Sequence, residues 1–175
     1  MRFAILSLAA AIALSGAAMT AHAAGSDTSA STPTCKKGFV YSSSKKKCVK
    51  KTSSVIPHES IKAQGWALAR EGRYEDAIEM FRLSADQNDP EVLNGLGFSH
   101  RKLGKVEQGI AFYGKAIDVN PDYIQAREYL GEGYVVLGKL NLAREQLDEI
   151  GTRCGTACEE YMLLARAIDT GKPNY

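Results

Sequence analysis

The chain has 175 residues and a formal net charge of +2, long enough for one domain with a real core and close to neutral overall. No apolar run approaches the roughly 20 residues of a membrane-spanning helix, so none is expected. The charge is unevenly placed: seven lysines between 24 and 57 face Asp27 alone, a balance of +6, whereas 14 basic and 19 acidic side chains from 58 to 175 leave −5.

The N-terminus carries one charge at Arg2, an apolar run from Phe3 to Leu14, and small residues ending in Ala21-His22-Ala23. This is the layout of a secretory signal peptide over residues 1–23, so the mature chain is expected to begin at Ala24 in an oxidising compartment. No cysteine follows the cut, so a lipid-anchored start is not expected. Residues 24–57 read as a disordered linker that carries one small element. "AGSDTSASTPT" is too polar to bury surface, and "TSSVIP" at 52–57 reads the same way. Between them Phe39, Val40 and Tyr41 form a β-prone run, with Gly38 and three serines supplying turns. A Cys35–Cys48 disulfide would close this into a Lys-rich hairpin, contributing about 3 kcal/mol in the chain-entropy model.

From His58 onward the sequence repeats. Leu96-Gly97 recurs as Leu130-Gly131, and Leu103-Gly104-Lys105 as Leu137-Gly138-Lys139, both 34 residues on; Gly65, Gly72 and Ile78 return as Gly97, Gly104 and Ile110 after 32. A fixed period of this length signals a stacked solenoid. These residues resemble the tetratricopeptide repeat, a pair of helices with small residues at positions 8, 20 and 27, an aromatic at 24 and proline near 32. The second repeat supplies Gly97, Gly109, Ala116, Tyr113 and Pro121; the first has Gly65, Ala77, Phe81 and Ser84, with Pro90 one place late. The third keeps Gly131 and Ala143 but has Leu147 and Ile150 where the aromatic and last small residue belong. The resemblance implies an all-α solenoid over 58–175, three repeats plus a capping helix with Tyr161, Leu164, Ala165 and Ile168 on its apolar stripe, ended by Gly171.

Thr156 and Glu159 have the spacing of a capping box, placing Cys158 in the first turn of that last helix and Cys154 in the loop behind it. Three readings stand for the pair: a staple, a redox couple and half a metal site. The spacing is C-x3-C rather than C-x-x-C, and beyond the signal peptide only His58 and His100 could add imidazole ligands. Four cysteines in two local pairs of an exported chain favour structural disulfides, Cys35–Cys48 and Cys154–Cys158. A periplasmic thiol-redox or metal-handling protein using Cys154 and Cys158 is the alternative.

The Lys-rich hairpin, the repeats and the C-G-T-A-C-E-E-Y segment together are similar to a group of exported bacterial tetratricopeptide proteins of the periplasm, loosely linked to the cell envelope. In the repeat family positions 2, 5, 9 and 12 of the first helix face a concave groove. They fall on Glu59, Lys62, Trp66 and Ala69; on Glu91, Asn94, Phe98 and Arg101; and on Gln125, Glu128, Glu132 and Val135. The resemblance therefore implies a protein or peptide partner held by Lys62, Trp66, Asn94, Phe98, Arg101, Glu128 and Glu132. Lys62, Arg70, Arg101 and Lys102 would make one end basic, and Glu128 and Glu132 the other acidic. Trp66 and Phe98 also suit a partly buried core position. Some relatives grip a C-terminal carboxylate with a lysine and asparagine pattern; Trp66 stands where that pattern wants asparagine, so this clamp is not expected.

No catalytic motif, phosphate-cradling glycine loop or H-E-x-x-H occurs, so no enzyme, cofactor or metal is expected. Export argues against nucleic acid, leaving an anionic lipid or another acidic envelope polymer, or simple solvation, for the lysines. N-terminal sequencing of the exported protein should read Ala24. A retained Met1 or a lipidated start would remove the basis for placing the chain in an oxidising compartment.

Overall fold

The computed structural model describes residues 33–42, 45–50 and 57–174; the expected signal peptide and most of the expected linker, at 1–32 and 51–56, lie outside them. Two strands, β1 (Phe39–Ser42) and β2 (Lys47–Lys50), precede seven helices. The helices are α1 (His58–Arg70), α2 (Tyr74–Phe81), α3 (Pro90–Lys102), α4 (Val106–Val119), α5 (Ile124–Val136), α6 (Leu140–Cys154) and α7 (Glu159–Thr170). They form three helix pairs and a cap, the expected all-α repeat architecture.

One three-residue turn, used three times, makes the pairs. Gly72, Gly104 and Gly138 take φ of +76°, +78° and +69°, a region closed to most side chains. Behind each, the next N–H reaches back along the preceding helix: Arg73 to the Leu68 carbonyl, Lys105 to His100 and Lys139 to Tyr134, at 3.0, 3.0 and 2.9 Å. This Schellman closure satisfies the last carbonyls and reverses the chain, so α1/α2, α3/α4 and α5/α6 lie as hairpins. The repeated Leu-Gly-Lys is its sequence signature. At the start of α3, Asp89 Oδ1 accepts the Glu91 and Val92 N–H groups at 2.8 and 3.0 Å, with Pro90 in the first turn.

Packing between helices follows a small-against-large rule. A methyl group at Gly65 or Gly95 would lie 2.5 or 2.2 Å from the Phe81 ring, and one at Gly97 2.6 Å from Tyr113. Gly109 faces the Gly97 backbone, where a methyl group would come within 2.8 Å of the carbonyl oxygen. In the third repeat, which lacks the aromatic, Leu164 of α7 fills the corresponding space against Gly131. The cap therefore completes the core as well as covering its end.

α1 packs on α3, α3 on α5 and α5 on α7, whereas α2 and α4, or α4 and α6, make no comparable contact. Helices that stay together line the inside of a curved stack, so the odd-numbered set forms the concave side.

Two local expectations are corrected. The capping box at Thr156 does not form: α7 begins at Glu159, and Cys158 itself is the N-cap, with no side-chain cap bond. Cys154 is the last residue of α6 rather than a loop residue, and its bond to Cys158 (S–S 2.03 Å) ties residue 158 to the end of that helix. The chain thus needs residues 155–158 to turn before a new helix can start.

The hairpin, expected within a disordered segment, is docked. Cys35 and Cys48 are bonded (S–S 2.00 Å), and Val40, fully buried, joins the core of the first helix pair. The Gln64 side chain donates to the Tyr41 carbonyl and accepts the Tyr41 N–H, covering the outer edge of β1. Arg73 donates to the Cys35 carbonyl at 3.4 Å and Thr34 to Glu71 at 2.8 Å. The hairpin is the N-terminal cap of the stack.

The glycines separate two effects cleanly. Gly109→Ala should destabilise the protein by about 1–3 kcal/mol, because a backbone oxygen cannot yield. Gly114 is mid-helix, and a methyl group there would meet nothing within 4 Å. Its substitution by alanine should instead stabilise the protein by about 0.5–1 kcal/mol. Urea unfolding of both variants checks the pair, and equal effects would contradict the packing rule.

Candidate functional site

Three helices contribute a row of rings to the concave side. Trp66 of α1 lies 5.6 Å from Phe98 of α3, which lies 5.4 Å from Tyr129 of α5. Tyr74, at the start of α2, approaches Phe98 at 6.3 Å. The Lys102 ammonium stands 5.9 Å from the Tyr74 ring and 6.0 Å from Phe98. Trp66, Tyr74, Phe98 and Lys102 are all partly exposed, so this patch combines aromatic area with a cation at the surface. Trp66 and Phe98 also touch the core, which joins the two readings of them: each has one face inside and one outside.

Arg101 lies near these rings, its guanidinium 5.8 Å from Phe98 and 5.7 Å from Tyr129, but it is 5% exposed and already desolvated. Its Nη2 pairs with Glu132 at 3.1 Å and its Nε donates to the Tyr113 hydroxyl at 3.3 Å. Glu132 is fully buried beneath the C-terminal segment, where the Asn174 backbone N–H and side-chain amide donate to it at 2.9 and 3.1 Å. The expectation of Arg101 as an anchor awaiting a partner, and of Glu132 as an open acidic end, is corrected. α5 and the returning tail close over both. Removing either charge alone would strand the other, at a cost of about 3–5 kcal/mol, so substitutions there report folding before binding. Tyr113 is pushed well above its ordinary range, by burial first, with Arg101 opposing.

Asn94 and Glu128 are likewise interior, at 0% and 2% exposure. Asn94 donates to the Tyr123 hydroxyl and to Gln125, both at 3.2 Å, cross-linking α3 to α5. Tyr123 is pushed up to about 12, by burial first and against the lowering effect of Asn94.

Lys62 borders a hollow of about 300 Å³ with Asp89, Pro90, Glu91, Asn120 and Tyr123. Its ammonium meets Glu59 at 3.0 Å, Glu91 at 3.1 Å and Asp89 at 3.4 Å. Burial works to lower its pKa, but these carboxylates outweigh burial and raise it. Lys62 is thus a permanent cation whose charge is already met.

Ser84, His58 and Asp89 form a line that the sequence did not suggest. Ser84 Oγ lies 2.8 Å from His58 Nδ1, and His58 Nε2 lies 2.8 Å from Asp89 Oδ2. The Ser84 hydroxyl is buried and also lies 2.8 Å from the Asp86 carbonyl, so it is held between two partners. The line clasps the start of α1 to the α2–α3 connection. Burial pushes the Asp89 carboxyl upward, but bonds from His58 and Val92, with Lys62, hold it below its ordinary value.

Cys154, Cys158 and Glu160 cluster within 4.8 Å, yet the two sulfurs are bonded to each other and offer no thiolate to a metal. His100, stacked on Phe112 at 5.3 Å, is held below its ordinary value by burial first, then by Lys105 and Arg82.

Residues 90–123 match the tetratricopeptide repeat family. The tetratricopeptide repeat domain-containing protein PYG7, chloroplastic, of Arabidopsis thaliana is 34% identical over 65 residues, which cover 37% of this chain and only 22% of that protein. Two solved structures share the fold. The first TPR of Spaghetti (RPAP3), bound to the HSP90 peptide SRMEEVD, is 20% identical with a TM-score of 0.58, covering 65% of this chain and 90% of that one. The second TPR domain of human RPAP3, in complex with the HSP70 peptide SGPTIEEVD, is 24% identical with a TM-score of 0.57, covering 64% and 94%.

Asp89→Asn keeps the cap but loses the charge, and should cost about 1–2 kcal/mol at neutral pH. A depressed carboxyl contributes stability above its unfolded value, near 3.8, and loses it as pH falls through the folded value. The difference between parent and variant should therefore shrink on acidification below about pH 4. A difference independent of pH would remove Asp89 from the clasp.

Proposed function

From a chain that carries a tetratricopeptide repeat at 90–123 and stacks its helices as such proteins do, we propose a non-enzymatic adaptor that holds a protein segment against the concave aromatic patch. The observation that carries this is the partly exposed run of Trp66, Phe98 and Tyr74 beside Lys102. Aromatic side chains in half-open settings are the usual anchors of an interface, because a partner can finish their desolvation at little entropic cost. The two similar solved domains hold peptides ending in EEVD. Here Lys62 is surrounded by Glu59, Asp89 and Glu91, so a terminal carboxylate gains little from it. The favoured partner is an extended or helical segment led by apolar side chains.

The adaptor is exported and works in the periplasm, in maintenance of the cell envelope. The signal-like N-terminus, the two disulfides and the resemblance to exported repeat proteins support this reading. The competing reading is a thiol-redox protein, favoured by the closeness of Cys154, Cys158 and Glu160.

One experiment separates them. Peptides selected for binding from a displayed library can be titrated against the full chain, with Trp66, the single tryptophan, as reporter. Phe98→Ala should weaken binding about thirtyfold, and Lys102→Glu less, with helicity preserved and the Phe98 variant melting lower but still folded at the assay temperature. Cys154→Ser/Cys158→Ser should bind as the parent does. Folded Phe98 variants that bind normally, beside a cysteine variant that loses function without losing stability, would overturn the adaptor.

A further inference from the structure

The docked hairpin presents a second surface. Lys36, Lys37, Lys45, Lys46, Lys47 and Lys50 are all exposed on it, and no acidic residue occurs from 33 to 57. Among the described residues no ion pair involves these lysines. They stand on a body fixed by the Cys35–Cys48 bond, by Val40 in the core and by the Gln64–Tyr41 bonds, so a ligand need not order a loose tail.

Two details go beyond a merely solvated face. Lys46 has φ of +48°, the only non-glycine residue in the left-handed region among those described. Glycine or asparagine is the ordinary occupant of such a turn, and another side chain costs about 1 kcal/mol, so a charge is kept where the backbone disfavours it. The strand register also sorts the faces. Val40 and its partner Val49 turn onto the helices, while Phe39, across from Lys50, and Tyr41 share the other face and remain partly exposed. Lys36 stands 5.3 Å from the Phe39 ring.

We propose that this face binds an acidic polysaccharide. Half-open rings offer dispersion contact to the apolar side of a sugar ring, and the flanking ammonium groups meet its carboxylates or sulfates. A bilayer is disfavoured because the hairpin's valines point inward and the outward Phe39 and Tyr41 are only half-open, which leaves little apolar area to insert. Nucleic acid is disfavoured by the disulfide that closes the hairpin, which belongs to an oxidising compartment; this choice rests on the export reading above.

The test titrates the full chain with polygalacturonate and heparin, against neutral dextran, an oligo(dT) strand and phosphatidylglycerol vesicles. Both acidic polysaccharides should bind, more weakly as salt rises, and dextran should not. Lys36→Glu/Lys50→Glu, the two lysines beside the Phe39 ring, should weaken binding about tenfold or more with unchanged melting. Lys46→Gly is the sharper variant: it removes a charge while suiting the turn, so it should weaken binding several-fold without loss of stability. No binding, binding unmoved by these substitutions, or binding no tighter than that of oligo(dT) or the vesicles would overturn the proposal. Selected groove peptides titrated against the same variants should be unaffected, so failure here leaves the adaptor reading standing and failure there leaves this one.

Discussion

Phe81 presses its ring into the space left by Gly65 and Gly95, so closely that a methyl group on either glycine would overlap it. Tyr113 does the same at Gly97, and Leu164 at Gly131. Close approach at these points sets how near successive helices lie. Because the odd-numbered helices meet on one side, Trp66, Phe98 and Tyr129 come from three different helices yet form a continuous row. The aromatic patch is thus a consequence of where side chains are missing.

The polar residues of the same side serve a different end. Arg101, Glu132, Asn94 and Tyr113 are buried, and with their partners they connect α3 to α4, α5 and the C-terminal segment. A buried pair of this kind contributes little net stability against well-packed apolar residues, but losing one partner is costly, so it ties α3 to α5. The reading that these groups fix the order and spacing of the stack accords with their positions. The partner-facing surface is correspondingly narrower than the repeat positions alone suggest, and it is dominated by rings.

The two ends of the stack are closed by unlike devices. At the N-terminus a disulfide-closed hairpin lays Val40 on the first helix pair and lends its strand edge to Gln64. At the C-terminus α7 supplies Leu164, and the Cys154–Cys158 bond holds its start against the end of α6. A repeat array must present something other than a bare helical face at each end. Placing both disulfides at the ends keeps them out of the concave row, so oxidation state and partner binding can be varied separately.

The repeats were legible in the sequence because each depends on contacts at short range. Leu103-Gly104-Lys105 encodes a turn that closes on its own helix, and the recurring helical glycines Gly65, Gly97 and Gly131 mark close packing. The cysteine pairing was legible for the same reason, since each pair is local. What Arg101, Asn94, Glu128 and Glu132 do was not legible, because a position that faces a groove in one repeat is buried once neighbouring helices, and for Glu132 the C-terminal segment, pack against it. The docking of the hairpin was hidden likewise: it rests on Gln64 bonding Tyr41, 23 residues away, and on Val40 entering the helix core, meetings that no local pattern records. Local backbone chemistry and periodic small residues determined the fold; burial, which depends on every neighbour at once, was decided only by the assembled structure.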